Sequence, residues 1–158
     1  MIYEIRRDDL SSRATQALLE LHLAGMYANS PAENVFALDL TGLKAPGVTV
    51  WTAWAGDAIA GIGALKDLGD RGGEVKSMRT HPDHLRKGVA SALLEHIITQ
   101  ARLRGFTRLS LETGRGLAFD PALALYKKRG FTYGPAFADY RPSDFNQFLH
   151  LALFAATP

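Results

Sequence analysis

The stretch "EVKSMRTHPDHLRKGVASALL", Glu74 to Leu94, decides the fold. Glu74–Thr80 has strand-forming alternation, and His81–Pro82 stops it. Two basic residues, Arg86 and Lys87, and then Gly88 lead straight into a helix pattern. Val89, Leu93, Ile97 and Ala101 recur every four residues, and Gly105 closes the run. A helix start presents free backbone N–H groups with partial positive charge. Glycine there lets an anion approach the main chain, and the adjacent cations add to the attraction. The turn therefore suits a phosphate or pyrophosphate. The alternative, which the turn alone favours, is a capped helix with two solvated cations. It is not a nucleotide P-loop, because no G-x-x-x-x-G-K-[ST] is present.

Outward from this centre the chain alternates strands and helices. Residues 2–6 form a first strand, and Ser11 and Ser12 cap a helix carrying Ala14, Leu18, Leu21 and Gly25 on one side. "NSP" at 29–31 interrupts it, and a short helical piece is expected from Ala32 to Leu38. "VTVWTAW" (48–54), the Gly56–Asp57 turn and "AIAGIGALK" (58–66) make a hairpin. Gly61 and Gly63 weaken its return strand but permit close approach. "GDRGG" (69–73) reads as a loop. Strand 107–113 follows, with Leu109, Leu111 and Thr113 on one side. Asp120–Pro121 predicts an N-cap with proline at the first helical position, and Gly130 ends that helix. Phe131–Phe137 and Phe145–Phe154 are read as the last strands. The order is that of an α/β chain with a mixed sheet, because strands neighbour one another at both ends.

At 158 residues, with no repeat or linker, residues 1–158 are expected to be a single domain. The absence of cysteine removes disulfides and thiolate metal ligands and agrees with a cytoplasmic protein. "MIYEIRRDD" lacks the apolar segment of a signal peptide, and no apolar run is long enough to cross a membrane. A net charge of +2 gives little electrostatic footprint for nucleic acid. Arg86, Lys87, Arg102, Arg104 and Lys127–Arg129 lie on separate helices without aromatic interleaving, so no nucleic-acid partner is expected.

Leu85-Arg86-Lys87-Gly88-Val89-Ala90 resembles the acyl-CoA-binding motif of the GNAT superfamily, Q/R-x-x-G-x-G/A, at the start of the helix after the fourth strand. Gly88 and Ala90 match; Leu85 replaces the Gln or Arg, and Arg86 stands one residue displaced. "PALALYKKRGF" (121–131) resembles the A-x-x-L-Y-x-x-x-G-F segment that closes the cofactor site. The order of elements agrees over nearly the whole chain. The resemblance implies a mixed sheet of about seven strands with about four helices, its fourth and fifth strands splayed. It implies acetyl-CoA as co-substrate, with a pantetheine arm along the main chain of Met78, Arg79 and Thr80. The pyrophosphate would lie at Arg86, Lys87, Gly88, Val89, Ala90 and Ser91. Phe119 stands where the family often has a cofactor-contacting Asn.

Acetyl transfer to an amine needs a neutral nucleophile, donors for an oxyanion and a proton for the leaving thiolate. The resemblance puts Tyr126 at the acid's position and near the thioester sulfur. On its own it reads as a core aromatic at helical spacing. Glu74 is the leading base, although Lys76, two residues on, can simply pair with it. Alternation places Glu74, Lys76, Met78 and Thr80 on one face. The oxyanion donor would be the N–H of Met78 or Arg79. Glu112 and Thr113 face the other wall of the wedge, while Arg79 and Arg115 are candidates for a substrate carboxylate. His81-x-x-His84 is half a metal site at most, so no metal is expected, with His81 a minor candidate for proton transfer. His22, His96 and His150 look structural or surface.

The expected acceptor is a primary amine of a small molecule or protein. Tyr27, Asn29, Glu33, Asn34, Phe36 and Asp39, with Phe137, Asp139 and Tyr140, are available to line its pocket. The alternative within the fold is a catalytically silent acyl-CoA-binding module. A homodimer is expected to cover the apolar "FNQFLHLALF" (145–154).

Overall fold

The computed structural model describes residues 2–29 and 40–153. The helix expected at Ala32–Leu38, with Glu33, Asn34, Phe36 and Asp39, lies outside them, as does Phe154. Strands β1 (Glu4–Arg7), β2 (Val48–Ala55), β3 (Ala58–Gly69) and β4 (Gly72–Thr80) form an antiparallel run. β5 (Arg108–Gly114) lies parallel to β4, and β7 (Asn146–Ala152) pairs antiparallel with both β5 and β6 (Thr132–Tyr133). The sheet order is β1-β2-β3-β4-β5-β7-β6. Helices α1 (Arg13–Asn29), α2 (Leu40–Leu43), α3 (Val89–Leu103) and α4 (Asp120–Lys128) accompany it.

Two apolar layers sandwich the sheet. Leu93, Ile97 and Ala101 of α3 pack with Leu65, Val75 and Leu109. On the other side Leu18 of α1 and Leu43 of α2 meet Val50 and Ile62. The α3 reading holds, including its closure at Gly105, where φ is 81° and the Phe106 N–H bonds Ala101 O at 3.0 Å. Gly61 and Gly63 allow that helix to approach: a Cβ at Gly61 would sit 2.6 Å from Val89 Cγ1.

Several expectations are corrected. The buried side of α1 is Thr15, Leu18, Leu19 and His22, while Leu21 is 41 % exposed. Ser12 Oγ caps the helix through the Thr15 N–H at 3.1 Å. The Thr15 hydroxyl donates to Asp8, which also accepts from Thr52 of β2. "GDRGG" is no loop: Gly69 and Gly72 pair, and only Asp70 and Arg71, at φ 51° and 61°, make the turn. Paired positive φ values fit the right-handed strand twist. Asp120 is already helical rather than a cap, because a 3-10 turn at Leu117–Phe119 runs directly into α4. β6 stops at Tyr133, before Gly134 and Pro135. β7 lies between β5 and β6 in the sheet, with Phe148 and Leu149 buried.

Candidate active site

A strand pair that parts company creates the site. β4 and β5 pair only from Gly72↔Arg108 to Glu74↔Ser110. β5 continues along β7 as far as Gly114↔Asn146. Beyond Glu74 the edge of β4 that faces away from β3 therefore has no strand partner among the described residues, and unpaired main-chain groups seek one. A bulge drives the separation. Across β3, Ala64 faces Lys76 and Ile62 faces Arg79, which leaves one extra residue in β4; Ser77 there has φ 58°. Bulges bend a strand and re-aim its side chains. Met78 consequently turns to the α3 side, where its Sδ would lie 2.6 Å from a Cβ at Gly63. The alternation expected to keep Met78 with Glu74 and Lys76 fails for this reason.

Past Thr80 the chain enters a 3-10 turn at Pro82–His84, capped by His81 Nδ1 accepting the Asp83 N–H at 3.1 Å. Arg86 and Gly88 then adopt left-handed φ values of 62° and 85°. Among the described residues, no main-chain acceptor meets the N–H groups from Arg86 to Ser91, and the Ala92 N–H is the first to find one, Gly88 O at 3.0 Å. These are the orphan donors of a helix start, flanked by the exposed Arg86 and Lys87. Leu85 is 57 % exposed beside them and adds no charge. From α4, Arg129 donates to Ser91 Oγ and lies 3.3 Å from Glu95, tying the two helix ends together.

At the inner end of the wedge lies a cavity of about 130 Å³. Glu74, Lys76, Glu112, Tyr126, Tyr140 and His22 are among the residues that line it. Glu74 is 2 % exposed and accepts from the Lys76 ammonium at 3.2 Å and from the Tyr140 hydroxyl. Lys76 also donates to the Tyr140 oxygen at 2.9 Å. Glu74 is thus held in a three-member network, which satisfies a charge that would be costly to bury alone. Burial, with the Glu74 charge beside it, holds the Tyr140 phenol well above its ordinary range.

Glu112 differs. Burial pushes its carboxyl up to about 7, Glu74 adds to the rise, and the Asn146 amide and Lys76 oppose it. Its Oε2 is shielded from solvent and has no hydrogen-bond partner among the described residues. Tyr126 is 7 % exposed, packed edge-on against Phe131, and burial pushes its phenol up to about 12. The hydroxyl thus stays protonated at neutral pH. His22 is driven down to about 4 by burial and by the nearby Arg79, so it is neutral.

The structure therefore gathers Glu74, Lys76, Met78, Glu112, Thr113, Tyr126 and Tyr140 around one cavity. The turn residues Arg86–Ser91 stand at the start of α3. Phe119 packs edge-on against Phe145 at 5.5 Å and lines the cavity without a polar contact. Arg115 reaches Gln147 at 3.5 Å, and Phe137 packs on Tyr140 and Phe148. His150 is structural, bonded to Ser110 and to the Pro135 carbonyl. His22 was expected to be structural or surface, yet it lines the cavity. Sequence gave no sign of that, because its position rests on the rotated face of α1. The shielded oxygen of Glu112 was also invisible, since it depends on the closeness of Glu74 and β7.

The description "acetyltransferase (GNAT) family" matches residues 4–131. An uncharacterized N-acetyltransferase of Bacillus subtilis, YsnE, is 52 % identical over 123 residues, 78 % of this chain and 82 % of that protein. An uncharacterized N-acetyltransferase of Escherichia coli, YedL, is 49 % identical over 152 residues, 96 % of each chain. A Klebsiella pneumoniae structure described as a candidate acyl-CoA N-acyltransferase superposes with a TM-score of 0.82 at 27 % identity, covering 97 % of this chain and 99 % of that one.

Proposed function

The chain belongs to the GNAT acetyltransferase family, and from that premise we propose how its wedge carries out acetyl transfer from acetyl-CoA to a primary amine. The observation that carries the reading is the continuity between two sets of unused donors. The N–H groups of Arg86–Ser91 and the free edge of β4 lie on consecutive segments of chain. A diphosphate fits the first, where Arg86 and Lys87 supply charge and Gly88, Val89, Ala90 and Ser91 supply amides. An amide-bearing arm fits the second along Met78, Arg79 and Thr80, pairing as an added strand would.

Acetyl-CoA, when bound, supplies the thioester whose C–S bond breaks as the acceptor nitrogen forms its C–N bond. Tyr126 holds the proton for the departing sulfur, and its burial keeps that proton in place at neutral pH. The N–H of Met78 or Arg79, on the unpaired edge, stabilises the developing oxyanion. Glu74 supplies fixed negative charge at the cavity wall, which favours entry of a cationic amine; Lys76 and Tyr140 hold it there. The acceptor is an amine of a small molecule or of a protein.

Incubating the purified chain with acetyl-CoA and a panel of amines, while following free thiol, tests the reading. Acceptor-dependent thiol release is expected. Calorimetry with CoA should show saturable binding; no binding at millimolar CoA would remove the cofactor assignment.

A further inference from the structure

We infer that Glu112 on β5, and not Glu74, takes the proton from the acceptor amine, while Glu74 acts on it only through its charge. This assignment rests on the acetyl-transfer reading above. It starts from what each carboxylate is already doing. Glu74 Oε2 accepts two hydrogen bonds, from Lys76 and Tyr140. Such a group is already engaged, and turning it toward a substrate would break its network. Glu112 lines the same cavity, and its Oε2 is buried without a donor among the described residues. Buried acceptors without partners are uncommon, and one on a residue that lines this cavity is a place for a substrate N–H.

The surroundings define the charge state. From β4, Glu74 and Lys76 face Glu112 with opposite signs; from the 134–145 loop comes Tyr140, protonated; from β7, the neutral Asn146 amide. His22 on α1 and Tyr126 on α4 border the cavity, both neutral at pH 7. Of the two carboxylates, Glu74 is held by its hydrogen-bond partners and Glu112 is the one pushed up to about 7. An acceptor near pH 7 matches the proton to be moved far better than an ordinary carboxylate does.

The step balances. An ammonium acceptor gives one proton to Glu112 Oε2, and its freed lone pair forms the C–N bond. The C–S electrons leave on sulfur, which takes the Tyr126 proton. The second proton on the nitrogen, lost as the amide forms, restores the Tyr126 hydroxyl, and Glu112 then releases its proton to solvent, so the net yield is one proton.

The test compares wild type, Glu112→Gln, Glu112→Asp and Glu74→Gln. Each is assayed for kcat/KM against pH with two acceptor amines of different basicity, and titrated with CoA by calorimetry. For wild type an acid limb near pH 7 is expected, at the same pH with both amines. E112Q should lose that limb and fall about 10²-fold or more in kcat/KM, with CoA affinity within about twofold of wild type. E112D should keep the limb at reduced rate, which also covers the case where E112Q does not fold. E74Q should keep the limb and move it to lower pH, because a neighbouring negative charge has gone. An intact limb in E112Q, or its disappearance in E74Q alone, would overturn the assignment. Wild type that fails to bind CoA would instead overturn the cofactor reading beneath it.

Discussion

Tyr126 and Gly88 show how single residues carry separable parts of the reaction. Tyr126 packs its ring against Phe131 at 5.8 Å and is among the residues that line the cavity. Tyr126→Phe keeps that ring contact and removes only the proton, so the fold and CoA affinity should be unchanged. A fall of about 10²-fold in kcat is expected from loss of a positioned acid. Thiol-release kinetics beside CoA calorimetry check it, and full turnover would end the acid role. Gly88 is the converse case. A Cβ there would meet nothing within 4 Å, yet φ is 85°, so Gly88→Ala is resisted by the backbone alone. Left-handed alanine costs roughly 1–2 kcal/mol. If the turn relaxes instead, its donors are misdirected, and CoA should bind about tenfold more weakly. Calorimetry reads the affinity and urea unfolding the stability; a variant unchanged in both contradicts the argument.

The elements that define the wedge differ in how plainly the sequence announces them. α3 was legible because its buried side recurs every four residues and Gly105 stops it; α4 likewise ends where Gly130 permits φ 101°. The parting of β4 from β5 was expected from family resemblance, but its cause was not visible. Alternation assumes an unbroken pleat, and Ser77 breaks it with one extra residue that carries no sequence mark. The face of α1 was misread because the polar Thr15 is buried beside Leu18 and Leu19, its hydroxyl bonded to Asp8, which also accepts from Thr52. Gly63 links these levels, since its missing Cβ leaves room for both Met78 and Ile97. Gly63→Val would press the Met78 thioether at 2.6 Å and Ile97 at 3.0 Å. Overpacking of that kind costs about 1–3 kcal/mol. The expected result is a lower urea midpoint and, because Met78 borders the wedge, weaker CoA binding. Unchanged stability would mean that the bulge yields more readily than its packing indicates.

At the scale of the molecule, the same cavity makes folding stability depend on pH through two opposed groups. Glu112 titrates at about 7 when folded, against an ordinary value of 4.5. The folded state then binds the proton more tightly, so this contribution is whole below pH 4.5 and is lost as pH rises through 7. His22 titrates at about 4 when folded, against 6.5 ordinarily. Its contribution is whole above pH 6.5 and is lost as pH falls through 4. The two displacements are similar in size and opposite in sign, so between pH 4.5 and 6.5 their effects on stability largely cancel. Wild type should show a nearly level urea midpoint over that interval. Removing one group exposes the other: Glu112→Gln should become more stable as pH rises from 4.5 to 6.5. His22→Leu should become less stable as pH rises, with the decline continuing to about pH 7. Equilibrium unfolding of the three proteins at half-unit steps reads the slopes directly, and parallel curves would show that neither group is displaced in the folded chain. The opposition has a functional consequence. A cavity that keeps one carboxyl near neutrality for proton transfer stores a stability cost at working pH, and the neutral imidazole on α1 supplies an offset only while the solution is not acidic.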